Sequence, residues 1–252
     1  RSIRAIRDLY LERGNNVEAL KWCKRGADEA FADDDFSEEH LSLLLDVARV
    51  YQGWDPRDKN IALKGDGIER DFVEAAKYYK MACELFGDDP ESCIHNSAQY
   101  ELAKMYEEGV GVAQNFTEAV RLLNIGLAQK NADCRFHLAC MYEEGRGVAQ
   151  NLDKAADIFM DLMEDDDPDK LAVCRLASMY RDGRGVPMNK KEALELLSDE
   201  SFDEDADVSY LHASILLENV EDLSKDPTIH AEVMRLLSLA AAENHADAQY
   251  LL

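Results

Sequence analysis

The stretch Tyr106-Glu107-Glu108-Gly109-Val110-Gly111-Val112-Ala113-Gln114-Asn115 returns almost unchanged as Tyr142-Glu143-Glu144-Gly145-Arg146-Gly147-Val148-Ala149-Gln150-Asn151. The offset is 36 residues, and one of the ten positions differs. A third copy, Tyr180-Arg181-Asp182-Gly183-Arg184-Gly185-Val186, follows 38 residues further on. A looser copy reads Gly65-Asp66-Gly67-Ile68, with its Tyr at Tyr51 and extra loop residues between. After each Gly-x-Gly an alanine recurs in register: Ala75, Ala119, Ala155 and Ala193. Before it, an alanine and the tyrosine keep a fixed spacing in Ala48-Tyr51, Ala103-Tyr106, Ala139-Tyr142 and Ala177-Tyr180. Self-similarity at such a period marks a repeat architecture.

Each copy predicts two antiparallel helices. Helix A ends at the Gly-rich turn, because glycine takes φ > 0 at little cost and closes a helix C-terminus. Positive φ is therefore expected among Gly111, Gly147 and Gly185. Helix B is expected to start at a capping residue such as Thr117 or Asp153, whose side-chain oxygen can satisfy an orphan N–H. The alanines let the two helices approach closely, while Leu102, Leu138, Leu176 and the recurrent tyrosines fill the interface. Tyr106, Tyr142 and Tyr180 are accordingly expected to be largely buried. One such pair cannot bury its apolar face alone, so neighbours must stack.

Weaker units flank these. Residues 1–30 carry Leu9-Tyr10, a short turn at Gly14-Asn15-Asn16 and then an Ala19-to-Ala27 helix; residues 205–244 carry Ala213 to Leu217, a polar turn ending in Asp226-Pro227, and Leu236 to Ala242. A further helix A begins at Ala246. The reading is one domain over 1–252, with units near 1–36, 37–90, 91–130, 131–168, 169–204 and 205–244 and the start of another at 245–252. The fold class expected is all-α, a right-handed α-α superhelix (solenoid) of about six antiparallel helix pairs. An N-terminus without Met and a unit that stops after one helix lead us to expect a longer parent chain.

The pattern Ala-x-x-x-Leu-Ala-x-Met-Tyr-x-x-Gly-x-Gly-Val…Ala-x-x-Leu resembles the Sel-one-like repeat, a longer-looped relative of the tetratricopeptide repeat. The likeness is strong over 97–198 and looser elsewhere. It implies an adaptor's shape, since members of the family serve in protein degradation, enzyme activation, signalling and host–pathogen contact. The first unit departs by a shortened loop, the second by an insertion around Gly53-Trp54-Asp55-Pro56, and the sixth by loss of its Gly-x-Gly.

Composition narrows the function classes. The 252 residues include 28 Lys+Arg against 52 Asp+Glu, a formal charge of −24, so nucleic acid and anionic membranes are repelled. No apolar run approaches the roughly 18–20 residues needed to cross a bilayer. No secretory signal pattern is visible at Arg1-Ser2-Ile3-Arg4. The six cysteines (Cys23, Cys83, Cys93, Cys134, Cys140 and Cys174) belong to a chain long enough to build a core without staples. Reduced thiols in a cytoplasmic setting are expected. The alternative is an ER-lumenal or secreted setting, where Cys83 and Cys93 are the pair to test.

Other signals have plainer readings. A dinucleotide fingerprint needs a strand before the turn and a third glycine, whereas Arg70, Gln114, Gln150 and Met188 fill that place. Cys134-x-x-His137-x-x-Cys140 spans about a 120° arc of one helix, with Cys174 the nearest fourth ligand. Zinc favours short hooks from separate segments, so core or groove lining is the reading there. The acid runs at Asp33 to Asp35, Glu164 to Asp167 and Asp199 to Asp207 lack the order of a calcium loop. They read as a solvated edge, or else as a docking rim for a basic partner. Asn115-Phe116-Thr117 is a formal glycosylation sequon, but capping accounts for it. No hydrolase elbow, zinc-protease or kinase signature is present. No enzyme activity, cofactor or metal is expected.

In the tetratricopeptide architecture that the resemblance implies, outward positions of helix A line a concave face. The register places Leu45, Arg49, Tyr100, Lys104, Phe136, Cys140, Cys174, Ser178, Arg181, Tyr210 and Ser214 there. Aromatic platforms with a few cations suit an extended peptide, so a protein or peptide segment is the expected partner. The function expected is a non-catalytic scaffold or adaptor. One alternative is a regulatory repeat module of a larger enzyme or signalling complex, with other domains of the parent chain as partners, because the family includes examples beside kinase and chitin-synthase machinery. A remote alternative is a metal-dependent or hydrolytic enzyme using Cys134, His137 and Cys140.

Overall fold

A computed structural model describes residues 3–32, 38–55, 58–62, 69–86, 93–165, 169–198, 205–219 and 226–252, with the side chains of 30–32, 38–41, 55–62, 85, 86 and 93–96 left aside. The chain forms two compact units, residues 1–134 and 135–252.

The first unit holds α1 (Ile3–Glu12), α2 (Asn16–Ala32), α3 (Glu38–Gln52), α4 (Phe72–Phe86), α5 (Cys93–Glu108) and α6 (Phe116–Ala128). Its boundary with the second falls in α7 (Ala132–Glu144). The second continues with α8 (Leu152–Met163), α9 (Lys170–Asp182), α10 (Lys190–Leu197), α11 (Ala206–Asn219), α12 (Pro227–Ala242) and α13 (Ala246–Leu251). Odd-numbered helices are A helices and even-numbered ones B helices. In the first unit each helix packs on the next, and the A helices α3 and α5 also touch. In the second, α8 packs on α9, α9 on α10, α11 on α12 and α12 on α13, while the A helices α9 and α11 touch. The all-α expectation of about six helix pairs is met. The exception is a two-stranded antiparallel ribbon, β1 (Trp54–Asp55) and β2 (Asp58–Ala62), which the insertion of the second repeat forms.

One tie recurs at every A-to-B turn from the first repeat to the fifth. The tyrosine carbonyl near the end of the A helix accepts the backbone N–H of the residue that caps the B helix. The pairs are Tyr10 and Asn15 (2.9 Å), Tyr51 and Asp71 (3.0 Å), Tyr106 and Asn115 (2.8 Å), Tyr142 and Asn151 (2.9 Å), and Tyr180 and Asn189 (2.8 Å). The turn can therefore be four residues or nineteen and still deliver helix B to the same place. The looser motif at Gly65-Asp66-Gly67-Ile68 lies outside the described residues, and the anchors of that turn are Tyr51 and Asp71.

The cap is the tied residue itself. Asn115, Asn151 and Asn189 accept with their side-chain oxygens from the N–H of Glu118, Lys154 and Glu192. This corrects the expectation of Thr117 and Asp153, which lie inside the first turn of their helices. In two repeats Gln114 and Gln150 donate from Nε2 to the carbonyls of Glu107 and Glu143 at 2.8 Å, satisfying the A-helix end as well.

Both glycines of the third, fourth and fifth turns are left-handed, with φ of 70° and 73° at Gly109 and Gly111, 71° and 70° at Gly145 and Gly147, and 68° and 71° at Gly183 and Gly185. A Cβ on Gly111 would lie 2.1 Å from the Phe72 carbonyl oxygen, and one on Gly185 2.2 Å from that of Leu152. The second glycine thus lets the turn rest on the backbone at the start of the preceding B helix.

The alanines sit at the helix crossings as expected: Ala48, Ala75, Ala103, Ala119, Ala139, Ala155, Ala177 and Ala193 have no exposed surface. Leu102, Leu138 and Leu176 are buried beside them. The tyrosines are not. Tyr106, Tyr142 and Tyr180 are half-buried, and the preceding methionines, Met105, Met141 and Met179, fill the interior instead. One position further along an α-helix is a 100° rotation, which carries the ring to the margin where its hydroxyl stays wet. The Tyr142 hydroxyl accepts from Lys154 Nζ at 2.6 Å.

Candidate functional site

The predicted face divides between the two units. In the first, α3 carries Leu45 and Arg49 and α5 carries Tyr100 and Lys104. Leu45 is buried at 4% exposure. Arg49, Tyr100 and Lys104 are half-buried, and the Lys104 ammonium lies 5.5 Å from the centre of the Tyr100 ring. The i,i+4 spacing along one helix makes this stack, which holds a flat aromatic and a cation together at the surface.

In the second unit Phe136 and Cys140 lie on α7, Cys174, Ser178 and Arg181 on α9, and Tyr210 and Ser214 on α11. Cys140 is buried at 7% exposure, and the other six are half-buried. Phe136 leans on the buried Phe159 of α8, ring centres 5.7 Å apart, so part of its area already serves the helix pair. Tyr210 stacks at 4.2 Å on His245. Arg181 forms a forked pair with Asp182, at 2.7 and 3.0 Å. That hydrogen bond raises the guanidinium pKa, with Glu218 and Tyr210 of α11 adding to it, and lowers that of Asp182. Ser214 Oγ donates to the Leu211 carbonyl at 2.8 Å. The face is thus mostly a set of half-covered side chains, several already engaged with neighbours, with Leu45 and Cys140 buried beneath them.

The cysteines read as core. Among the described side chains Cys23, Cys83, Cys134, Cys140 and Cys174 are free thiols. Burial pushes Cys23, Cys83, Cys134 and Cys174 up to about 12 and Cys140 to about 11. Such thiols stay protonated at neutral pH, whereas nucleophiles and zinc ligands act as thiolates. Cys134 packs against Gly126 of α6, where an added Cβ would come within 2.4 Å of Sγ. Among the described residues no group of three or more His, Cys, Asp or Glu could hold a metal ion. Nor is any helix there long and apolar enough to cross a membrane.

Parts of the acid runs have structural work. Asp165 and Asp161 pair with Arg135, whose side chain is 3% exposed, the Asp161 contact at 3.0 Å. Asp205 caps α11 by accepting from the N–H groups of Asp207 and Val208. Asp33 to Asp35, Asp166, Asp167 and 199–204 lie outside the described residues.

Sequence reading missed two features. Glu143 is buried and clamped by Arg175 at 3.4 Å and Arg184 at 3.2 Å. The repeat comparison held the signal, because Glu143 of one turn faces Arg184 of the next. The second is a cavity of about 250 Å³ between α4, α5 and α6, floored by Gln99, Leu102 and Leu122 and rimmed by Lys80, Glu84, Glu118 and Arg121. No periodicity announces a void.

Paired helices joined by tied Gly-x-Gly turns define a helical-repeat protein of the tetratricopeptide-like class. The Sel1 repeat model matches residues 8–31, 60–85, 96–131, 132–159 and 170–198, more than half of the chain, and the chain belongs to that family. Comparison with curated proteins gave no significant match. Among solved structures, a protective antigen of uropathogenic Escherichia coli strains that displays an SLR fold is similar at TM-score 0.72 and 21% identity, over 97% of this chain and 46% of that one. A Sel1 repeat protein from Oxalobacter formigenes is similar at TM-score 0.62 and 18% identity, over 89% of this chain and 81% of that one. The chain thus spans under half the length of the first.

Proposed function

We propose that this chain is a non-catalytic scaffold that binds an extended segment of another protein on its A-helix faces. Sel1 and tetratricopeptide-like repeats commonly mediate protein–protein interaction, which is the general ground. The observation that carries the particular reading is the Tyr100–Lys104 stack on α5: a rigid aromatic and a cation, half-buried and next to α3. Aromatics of this kind give much contact area at low entropy cost, and the ammonium can take a carboxylate or main-chain carbonyl. In the second unit Ser178 and Arg181 of α9, beside Tyr210 of α11, offer the same mixture.

The test uses the binding segment of a partner recovered by affinity capture. Tyr100→Ala with Lys104→Ala is expected to weaken it at least about tenfold, as truncating an anchor does. Asp153→Asn with Asp157→Asn, on the exposed surface of α8, is expected to leave it within about twofold. The reverse pattern would reject the A-helix faces and make the acidic surface the functional one. Asp165 is unsuitable for the acidic arm, because its loss would also remove one of the two carboxylates paired with the buried Arg135.

A further inference from the structure

We propose that the cavity between α4, α5 and α6 is a binding site for a small zwitterion with an apolar body, of the class of free aliphatic or aromatic amino acids. The whole cavity lies within the first unit. Its volume is about 250 Å³, which at the packing density of a protein interior holds roughly ten to twelve non-hydrogen atoms. Its inner wall is largely apolar: Leu102 and Leu122 are buried, and Ile125 and the Cys83 thiol are half-buried. Burial pushes that thiol up to about 12, so it stays protonated and serves as wall, not as nucleophile.

The repeat register explains why the space exists in this repeat. Gln99 of α5 corresponds to Arg135 of α7, 36 residues on, and Ile125 of α6 corresponds to Asp161 of α8 at the same offset. In the later repeat the Arg135 guanidinium bridges from α7 to α8 and pairs with Asp161 at 3.0 Å. In the earlier one the side chain is shorter and Ile125 presents no carboxylate to it. Gln99 and Ile125 both line the cavity, which thus lies where the neighbouring repeat places its own ion pair.

The mouth selects the ligand's charge. Helix α4 supplies Lys80 and Glu84, paired at 3.8 Å, and α6 supplies Glu118 and Arg121, paired at 2.6 Å. The two helices also act on each other. The Arg121 hydrogen bond lowers the Glu118 pKa, and Lys80 of the facing helix adds to that pull. A simple anion or cation meets a like charge on this rim, and an anion must also approach a chain carrying −24. A zwitterion avoids both penalties. Its carboxylate can face Lys80 and Arg121 and its ammonium Glu84 and Glu118, through charge-assisted hydrogen bonds, while its side chain enters between Leu102, Leu122 and Ile125.

The experiment is an NMR titration of the full chain with L-phenylalanine and with L-leucine, reading the methyl signals of Leu122 and Ile125 and the side-chain amide of Gln99. Expected are saturable shifts at these groups with a Kd of about 1 mM or below for at least one of the two, which this many atoms supply at ordinary ligand efficiency. 3-Phenylpropionate, which lacks the ammonium, and 2-phenylethylamine, which lacks the carboxylate, should each bind at least about fivefold more weakly than L-phenylalanine. Gln99→Arg with Ile125→Asp installs the fourth repeat's pair in the cavity and should weaken binding at least about tenfold. Lys80→Gln with Glu84→Gln changes only well-exposed side chains, so the fold is kept, and should weaken it at least about threefold. Absence of saturable shifts with both amino acids up to about 20 mM, equal affinity for the three phenyl probes, or undiminished binding in either variant would overturn the proposal.

Discussion

Gly111 and Gly185 meet two demands together, a left-handed φ and contact with a carbonyl of the preceding B helix. Gly109 and Gly183 meet only the first, since a Cβ there would find side-chain atoms at 3.2 and 3.1 Å. Gly111→Ala and Gly185→Ala are therefore expected to cost roughly 1–3 kcal/mol in urea unfolding, and more than Gly109→Ala and Gly183→Ala. Equal costs would show that the close approach carries no energy. The positive φ was legible in the sequence, because only glycine recurs there. The contact was not, because it joins backbone to backbone and leaves no side-chain pattern. The tyrosines teach a related lesson. Their recurrence pointed to the interior, but a repeated residue need only do a repeated task, and here the backbone carbonyl is tied while the ring lies at the margin. Met105, Met141 and Met179 recur in the same register and are the buried ones.

At the scale of the helix, tie and cap reside in one asparagine. Asn115→Ala, Asn151→Ala and Asn189→Ala should each lower stability by about 1 kcal/mol, whereas Thr117→Ala and Asp153→Ala should stay within about 0.5 kcal/mol. Thermal or urea unfolding separates the two sets, and the reverse order would restore the caps expected from sequence. That expectation chose the right residue class at a boundary two positions late, because the helix pattern fixes its own middle better than its ends. A second element-scale effect sits between α1 and α3. Arg7 of α1 pairs with Asp46 of α3, both buried, and Arg4 reaches Ser42. Burial lifts the Asp46 carboxyl to about 6 against the pull of Arg7, Arg49 and Arg4. An unfolded aspartate titrates near about 4. The folded chain then keeps a proton that the unfolded chain has released, so this group lowers stability as pH rises from about 4 to about 6 and adds no slope above. Asp46→Asn removes that contribution. The difference in unfolding midpoint between wild type and variant should change across the window, and a constant difference would contradict the assignment.

Across the whole chain, the repeat period and the glycine turns were enough to read the fold class and the family from sequence. The division into units at Cys134 and Arg135 was not, because α7 crosses it with an unbroken helical pattern. The candidate face was legible only as a register. Which of its residues are half-buried, and which are already engaged, depends on neighbours from other repeats, as with Tyr210 and His245 or Phe136 and Phe159. The acid runs were read as a solvated edge or a docking rim, yet Asp165 and Asp205 show that acids at the turns also cap helices and pair with a buried arginine. The central claim is that A-helix faces, and not B-helix or loop surfaces, receive the partner. It is tested most directly by placing a photo-crosslinking amino acid at Lys104 or Ser178 on A helices, and at Asp157 or Lys191 on B helices, in the full chain. Adducts with the partner segment from Lys104 and Ser178, with none from Asp157 and Lys191, are the predicted result. Adducts from Asp157 or Lys191 alone would contradict it.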